Sequence, residues 1–211
     1  MKSIGFGSVA RADARVLILG SLPGQVSLAR GEYYAQPQNA FWRIMGDLVG
    51  ASRDVPYHRR LRLLKENRIA LWDVCAAGER SGSLDSAIRV ATVEANDLAA
   101  FLRTHPAIGL ICFNGRKAKE IYDRLMLQKS LPLFERIRHE VLPSTSPAHA
   151  TMTYEQKLSR WRGILAEACL SRLQLDSAAP GPPESLKSTR VTKGASHEKD
   201  STISCQAQTA H

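Results

Sequence analysis

Polar side chains that follow short apolar runs, and two adjacent tyrosines, are the residues of this 211-residue chain that could do chemistry. Asp73 lies at the end of one apolar run, and Asn114 directly follows another. Tyr33 and Tyr34 belong to segment 31–42, which holds four of the thirteen aromatic residues. A tyrosine ring in a loop can stack on a flat ligand, or it can anchor the loop by packing. The pattern leaves both roles open.

Several common site motifs are absent from the sequence. Gly20 and Gly24 are spaced G-x-x-x-G, with no G-x-G-x-x-G and no Lys-Ser or Lys-Thr after the glycines, which argues against dinucleotide and phosphate-loop sites. The hydrolase and metalloprotease patterns G-x-S-x-G and H-E-x-x-H are also missing. The four cysteines form no C-x-x-C pair and are interpreted as reduced thiols. We therefore predict no metal and no cofactor.

The apolar runs and helical patterns predict the elements that position these residues. We expect strands at 16–19, 69–74, 108–113 and 139–142, and helices at 40–49, 57–67, 97–103, 116–127 and 154–170. Strands separated by such helices form a parallel sheet covered on both faces. The expected fold class is α/β, a three-layer α/β/α sandwich with a central four-stranded parallel sheet. Ligands of such sheets bind beyond the carboxyl ends of the strands, where both Asp73 and Asn114 lie.

The net charge of +9 is confined to the first part of the chain. Residues 176–211 contain four basic and four acidic side chains and only nine apolar residues. Such a segment cannot bury enough surface to offset the entropy of ordering. We predict one domain over residues 1–175 and a disordered tail over 176–211. The basic, Arg-rich domain indicates a polyanionic partner.

The apolar runs are far shorter than the roughly 18 residues that a membrane crossing needs, and residues 1–7 do not resemble a secretory or transit signal. We expect a soluble, cytoplasmic protein without a membrane partner, and a monomer.

Four segments in order resemble the uracil-DNA glycosylase superfamily, and within it the hypoxanthine-DNA (deoxyinosine) glycosylase branch. They are Gly-Ser-Leu-Pro-Gly at 20–24, Tyr-Ala-Gln-Pro-Gln-Asn-Ala-Phe-Trp at 34–42, Phe-Asn-Gly at 113–115 and Leu-Pro-Ser-Thr-Ser-Pro at 142–147. The resemblance implies metal-free removal of a deaminated base from DNA by hydrolysis of its glycosidic bond. It also implies base flipping and a DNA partner containing deaminated bases.

The first two segments imply roles for five residues. Tyr34 matches the aromatic residue that stacks on the extruded base, and Pro23 and Gly24 match the loop whose backbone approaches the nucleotide. Leu22 stands where the uracil enzymes of the superfamily carry an Asp or Asn that directs water. A leucine cannot orient water, so the role moves, and the branch resemblance favours Asn39. That residue could also cap the following helix.

The later segments imply contacts to the base and to the DNA backbone. Asp73 and Asn114 match the strand ends that read the base edge, where deamination leaves a carbonyl beside an N–H. An amide meets that edge with a donor and an acceptor, and a carboxylate accepts the N–H. Both could instead form turns. The loop that pinches the backbone and inserts a wedge corresponds to Ser144, Thr145, Ser146, Ala148 and His149.

Catalysis is then expected from hydrogen bonds to the leaving base and one positioned water, since paired glycosidase carboxylates are missing. Catalytic candidates are Asn39, Asp73 and Asn114. One alternative is a mismatch-specific uracil or thymine-DNA glycosylase, which Leu22 fits badly. The other is a non-catalytic nucleic-acid-binding α/β domain that retained the basic groove.

Overall fold

The computed structural model describes residues 2–82, 84–126 and 136–176. The strands within these ranges are β1 (Lys2–Ile4), β2 (Val16–Gly20), β3 (Ile69–Asp73), β4 (Cys75–Glu79), β5 (Glu94–Ala95), β6 (Leu110–Asn114) and β7 (Arg138–Leu142). The α-helices of the same ranges are α1 (Gln25–Arg30), α2 (Phe41–Val49), α3 (Tyr57–Glu66), α4 (Leu98–Thr104), α5 (Arg116–Met126) and α6 (Tyr154–Asp176). Two 3-10 helices span Asp85–Ala87 and Val90–Thr92. No helix in these ranges is long and apolar enough to cross a membrane.

The central sheet has four parallel strands in the order β3-β2-β6-β7. All five residues of β2 are buried, as expected for a central strand covered on both faces. Gly20 of β2 pairs in register with Asp73 of β3. The ends of these two neighbouring strands therefore lie side by side, and the register brings the first loop next to the Asp73 carboxyl.

Two hydrophobic clusters cover opposite faces of the sheet. Leu17 and Leu19 of β2 point into a cluster with α4 and α5, whereas Val16 and Ile18 point into a cluster with α2, α3 and α6. This alternation is the period-two pattern of a strand. Trp161 of α6 is fully buried in the second cluster. The predicted three-layer α/β/α class, with its four-stranded parallel sheet, is confirmed.

The sequence reasoning missed the short elements. The helix α1 has only six residues, and a small antiparallel sheet joins β1, β4 and β5. β1 and β5 have three and two residues and α1 has six, too few to produce a recognisable period. β4 has five residues, but its sequence Cys-Ala-Ala-Gly-Glu contains no β-branched or aromatic residue that would indicate a strand. The last helix extends to Asp176, beyond the predicted end at 170, because no Gly or Pro interrupts residues 170–176. The predicted disordered tail lies almost wholly outside the described residues, and the domain boundary stays a prediction.

Candidate active site

A half-open cavity of about 350 Å³ lies at the carboxyl edge of the central sheet. Its volume is in the range of small-molecule sites. All the predicted site residues line it except His149: Leu22, Pro23, Gly24, Tyr34, Asn39, Asp73, Asn114, Ser144, Thr145, Ser146 and Ala148. The lining also contains Arg80 and Asp85, which the sequence reasoning did not single out. The strand-end rule therefore identified the correct edge of the sheet.

Leu22 has no polar role in this cavity. Its side chain is 4% exposed and belongs to the hydrophobic cluster beside α4 and α5. Its carbonyl accepts a hydrogen bond of 3.2 Å from Nη1 of Arg80, and the carbonyl of Pro23 accepts another from Nη2. Arg80 is itself 6% exposed. A buried guanidinium thus fixes the backbone of the first loop, while its leucine side chain packs into the core.

Tyr34 adopts a strained backbone conformation at the cavity wall. Its φ of 53° lies in the left-handed region, which bulky residues rarely occupy. Its ring stacks on Phe41 with centroids 4.0 Å apart and an angle of 20°. Tyr34 lines the cavity and Phe41 does not, so the ring face opposite Phe41 is the one that can receive a base. This arrangement agrees with the predicted stacking role, which stays a prediction.

Arg53 holds the backbone of the Tyr34 loop. Its guanidinium donates to the carbonyls of Tyr34 at 3.0 Å and Gln36 at 2.5 Å, with longer contacts to those of Ala35 and Asn39. Carbonyls that converge on one planar cation are fixed relative to one another. Arg53 therefore stabilises the unusual turn that aims Tyr34 at the cavity, although nothing in its sequence neighbourhood indicates this role.

Asp73 lies at the bottom of the cavity and is 3% exposed. Its Oδ2 atom has no hydrogen-bond partner among the described residues. Oδ1 occupies the space next to the Gly20 backbone, where a Cβ atom would collide with it. Burial, followed by repulsion from Asp85, raises the pKa of Asp73 to about 8, and Arg80 opposes this shift. This raised pKa favours the protonated carboxyl at pH 7, which can donate as well as accept a hydrogen bond. The role of Asp73 in reading the base edge stays a prediction.

The hydroxyl of Tyr34 is close to Asp73, because both lie next to Gly20. A Cβ atom on Gly20 would lie 2.9 Å from the Tyr34 hydroxyl oxygen and would collide with Oδ1 of Asp73. Burial raises the pKa of Tyr34 first, and the nearby Asp73 raises it further. Asn114 lies near enough to lower that pKa slightly, but the hydroxyl makes no hydrogen bond of good geometry with a described residue. The cavity floor thus contains two buried oxygen groups that lack partners.

Asn39 uses only part of its amide within the protein. Its Oδ1 accepts a 3.0 Å hydrogen bond from the backbone N–H of Phe41, the first residue of α2. The N-cap itself is Ala40, so Asn39 satisfies the first helical N–H from one residue before the predicted capping position. No described residue bonds its Nδ2 atom. The open group that Asn39 offers to the cavity is therefore mainly a donor.

Asn114 and Thr145 hold one another at the other side of the cavity. Nδ2 of Asn114 donates to Oγ1 of Thr145 at 2.8 Å, and the Thr145 backbone N–H donates to Oδ1 of Asn114 at 2.9 Å. The Thr145 carbonyl accepts from the Ala40 N–H. Thr145 is 1% exposed, so its hydroxyl positions the loop and does not reach a phosphate. Asn114 retains one donor and one lone pair for a ligand.

The rest of the fourth loop is closer to the surface. The Ser144 hydroxyl accepts from the Ser146 N–H, and the Ser146 hydroxyl accepts from the Ala148 N–H. Ala148 is exposed at the cavity rim, consistent with the predicted wedge position. His149 lies outside the cavity lining, and its carbonyl accepts a 2.7 Å hydrogen bond from Lys157. The DNA contacts of Ser144, Ser146, Ala148 and His149 stay predictions.

Asp85 is the second carboxyl group of the cavity. It begins the 3-10 helix Asp85–Ala87, and its Oδ1 lies 3.4 Å from Nη1 of Arg80. The sequence offered no signal for it, because the segment between β4 and β5 resembled a polar connection. Within the part of the chain that the structure describes, no group of three His, Cys, Asp or Glu residues could hold a metal ion. The lining of the cavity thus combines amides, carboxyls, hydroxyls, one guanidinium and two tyrosines.

In parallel α/β sheets, ligands bind beyond the carboxyl ends of the strands, and this cavity lies at those ends. A family model described as "Uracil DNA glycosylase superfamily" matches residues 6–167. The chain belongs to this superfamily, which confirms the resemblance seen in its four sequence segments.

Relatives and a solved structure agree with this assignment. The chain is 40% identical over 163 residues to a protein of Methanosarcina acetivorans named hypoxanthine DNA glycosylase, covering 76% of this chain and 96% of that protein. It is 41% identical over 121 residues to the protein of the same name in Methanosarcina barkeri, covering 57% and 75%. A solution NMR structure from M. acetivorans, assigned as a candidate uracil DNA glycosylase, superimposes with a TM-score of 0.66 at 38% identity, covering 80% and 99%.

Proposed function

We propose that this protein is a monofunctional DNA glycosylase that flips a deaminated base, principally hypoxanthine, into the cavity and hydrolyses its N-glycosidic bond. The observation that carries the proposal is a pair of buried oxygen atoms in the cavity without a hydrogen-bond partner among the described residues, Oδ2 of Asp73 and the hydroxyl oxygen of Tyr34. Buried polar groups without partners are costly in a folded protein. They are tolerated where a ligand completes their hydrogen bonds.

The neutral form of Asp73 suits the base edge that deamination creates. A protonated carboxyl has one O–H donor and one carbonyl acceptor, as an amide does. It can donate to the carbonyl of hypoxanthine and accept from the adjacent N–H. An ionised carboxylate could only accept, and it would repel the carbonyl. Because burial favours the protonated carboxyl, Asp73 offers the base the same donor and acceptor pattern as an asparagine would.

The groups around Asp73 support this protonation state. The titratable or charged side chains that interact with it are Tyr33, Tyr34, Tyr57, Cys75, Arg80 and Asp85. Arg80 is the cation among them, and it makes its hydrogen bonds to Leu22, Pro23 and Asp85, not to Asp73. Because no cation among the described residues bonds Asp73, desolvation is the largest influence on its charge, and the nearby Asp85 acts in the same direction.

The remaining groups provide stacking and leaving-group stabilisation. The free face of Tyr34 stacks on the purine, and the open donors of Asn39 and Asn114 bond the base as it departs with negative charge. Such donors in a water-excluded site act where charge develops in the transition state. The cost of extrusion is smallest for a base that pairs poorly, which favours deaminated bases over adenine. We also infer that the protein acts as a monomer in the cytoplasm.

Single-turnover excision tests this proposal. Enzyme in excess is mixed with duplexes containing one deoxyinosine, one deoxyuridine or one deoxyadenosine, and the released base is measured directly. We expect hypoxanthine to be released, uracil more slowly, and adenine not at all. Faster release of uracil from mismatches would favour the uracil or thymine enzyme. Binding to all three duplexes without release of a base would favour a non-catalytic domain.

A further inference from the structure

The first loop lacks the acidic or amide side chain that would direct water, yet a carboxyl group lies beside it. Leu22 directs its side chain into the core. Asp85, which is more than sixty residues away in sequence, lines the same cavity as Ser21 and Leu22. The 3-10 helix that begins at Asp85 follows β4, the middle strand of the small antiparallel sheet. That sheet therefore brings a remote carboxyl group to the first loop.

Arg80 connects the two directly. Its Nη1 atom lies 3.4 Å from Oδ1 of Asp85 and donates to the Leu22 carbonyl at 3.2 Å. The carboxyl and the loop backbone thus share one guanidinium nitrogen. The Arg80 side chain is 1% exposed and the Asp85 side chain is 37% exposed. The cation is buried, whereas the carboxyl that it contacts is partly exposed.

Asp85 differs from Asp73 in that a cation lies against it, with Nη1 of Arg80 3.4 Å from its Oδ1. Burial raises the pKa of Asp85 above its ordinary value, and a hydrogen bond from Ser21 and the charges of Arg80 and of Lys117 on α5 oppose this shift. Asp73, Tyr34 and Cys75 also feel its charge. Two carboxyls whose environments differ in this way divide acid and base roles. Asp73 keeps its proton, and Asp85 pairs with Arg80.

We propose that Asp85 is the general base that orients and deprotonates the attacking water, an inference that rests on the glycosylase function proposed above. The water oxygen forms a bond to C1′ of the sugar as the bond from C1′ to the base nitrogen breaks. The electron pair of that bond leaves with the base as an anion, and the water proton passes to a carboxylate oxygen of Asp85. Solvent protonates the released base.

Asn39 has a different part in this step. A neutral amide cannot take a proton from water, and its oxygen is already bonded to the Phe41 N–H. Its free Nδ2 donates to the water or to the departing base. Asp85 is thus the acceptor that the first loop lacks, and Asn39 is a donor that lines the same cavity.

The variant Asp85→Asn tests this assignment, because it keeps the size of the side chain and removes its basicity. We expect single-turnover release of hypoxanthine to fall by about 100-fold or more, the usual effect of losing a general base. Binding to a duplex with a non-hydrolysable 2′-fluoro-deoxyinosine should change by less than about threefold. The rate of the parent should rise with pH on the acid side, and this rise should disappear in the variant.

Glu79→Gln is the matched control. Glu79 pairs with Arg89 at 2.6 Å, and its side chain is also 37% exposed, but it does not line the cavity. We expect parental excision from this variant. If Asp85→Asn loses affinity and rate together and keeps the acid limb, Asp85 only positions Arg80 and the proposal is wrong. An unchanged rate also overturns it. If the parent releases no base, the proposed function fails first.

Discussion

The variant Asp73→Asn tests how the raised pKa of the buried Asp73 carboxyl affects the stability of the protein. Asn has the shape and the donor–acceptor pattern of the neutral acid but no proton to lose. In the parent, the pKa of Asp73 is raised from 3.8 to about 8. The folded protein therefore holds a proton at pH 7 that the unfolded chain releases, so rising pH favours unfolding. The contribution of Asp73 to the free energy of unfolding is fully present below its unfolded pKa of 3.8, and it is lost as the pH rises towards about 8.

The size of the effect follows from proton linkage. One group that is protonated in the folded state and ionised in the unfolded state changes the free energy of unfolding by about 1.4 kcal/mol per pH unit. Between pH 5 and pH 7, Asp73 alone should destabilise the parent by an amount on the order of 3 kcal/mol. The asparagine variant lacks this term, so its advantage over the parent should grow by that amount across the same interval.

Urea unfolding at several pH values measures this difference. The free energies of parent and variant are extrapolated to water, and their difference is plotted against pH. Titration of the histidines and other shared groups cancels in the difference. We also expect Asp73→Asn to excise hypoxanthine within about tenfold of the parent at pH 7, and to keep its activity above pH 8, where the parent declines. A stability difference that does not vary with pH would refute the neutral Asp73.

Tyr34→Ala should weaken binding to the extruded nucleotide by about 1 to 3 kcal/mol, whereas Tyr34→Phe should retain most activity. If the two variants bind a 2′-fluoro-deoxyinosine duplex equally well, stacking is the wrong role for Tyr34. Asn39→Asp keeps the helix cap but lacks the amide donor, so unfolding should be near parental while single-turnover excision falls at least about tenfold, roughly 1.4 kcal/mol of barrier. An equally fast Asn39→Asp would leave Asn39 as a cap only. A lysine at position 53 cannot bridge the same carbonyls, so the excision rate of Arg53→Lys should fall by more than its loss of thermal stability explains. Parental kinetics in this variant would contradict the positioning role of Arg53.

The sequence predicted the layers of the fold and the edge of the sheet where the site lies, because both follow from local patterns. A buried run such as Val16–Gly20 predicts a central strand by itself. The parallel order then places the ends of neighbouring strands together, and this is why Asp73 could be assigned to the site. The four family segments supplied Tyr34 and Asn39. No sequence pattern of this kind exists for short elements, so α1 and the antiparallel sheet were missed.

The charge states and the positioning contacts could not be predicted in the same way. Asp73 and Asp85 are the same residue type, and only burial and the location of Arg80 distinguish them. Arg80 and Arg53 bond backbone carbonyls, which leave no pattern in the sequence. Thr145 shows the same limit, since its hydroxyl resembled a phosphate ligand but faces Asn114 inside the protein. A residue type predicts which hydrogen bonds are available, and the packing determines which of them are already used.

Arg80 explains how the site functions with a leucine in the first loop. An acidic residue at position 22 would occupy the same loop that Arg80 now holds through two carbonyls, and its charge would add to that of Asp85 beside the neutral Asp73. The first loop is held by two kinds of contact. The Leu22 side chain packs in the hydrophobic cluster, and the Arg80 guanidinium donates to the Leu22 carbonyl. The same cation compensates the carboxylate of Asp85. Because Arg80 contacts both, we expect a change in the position of the first loop to alter the environment of the proposed base as well.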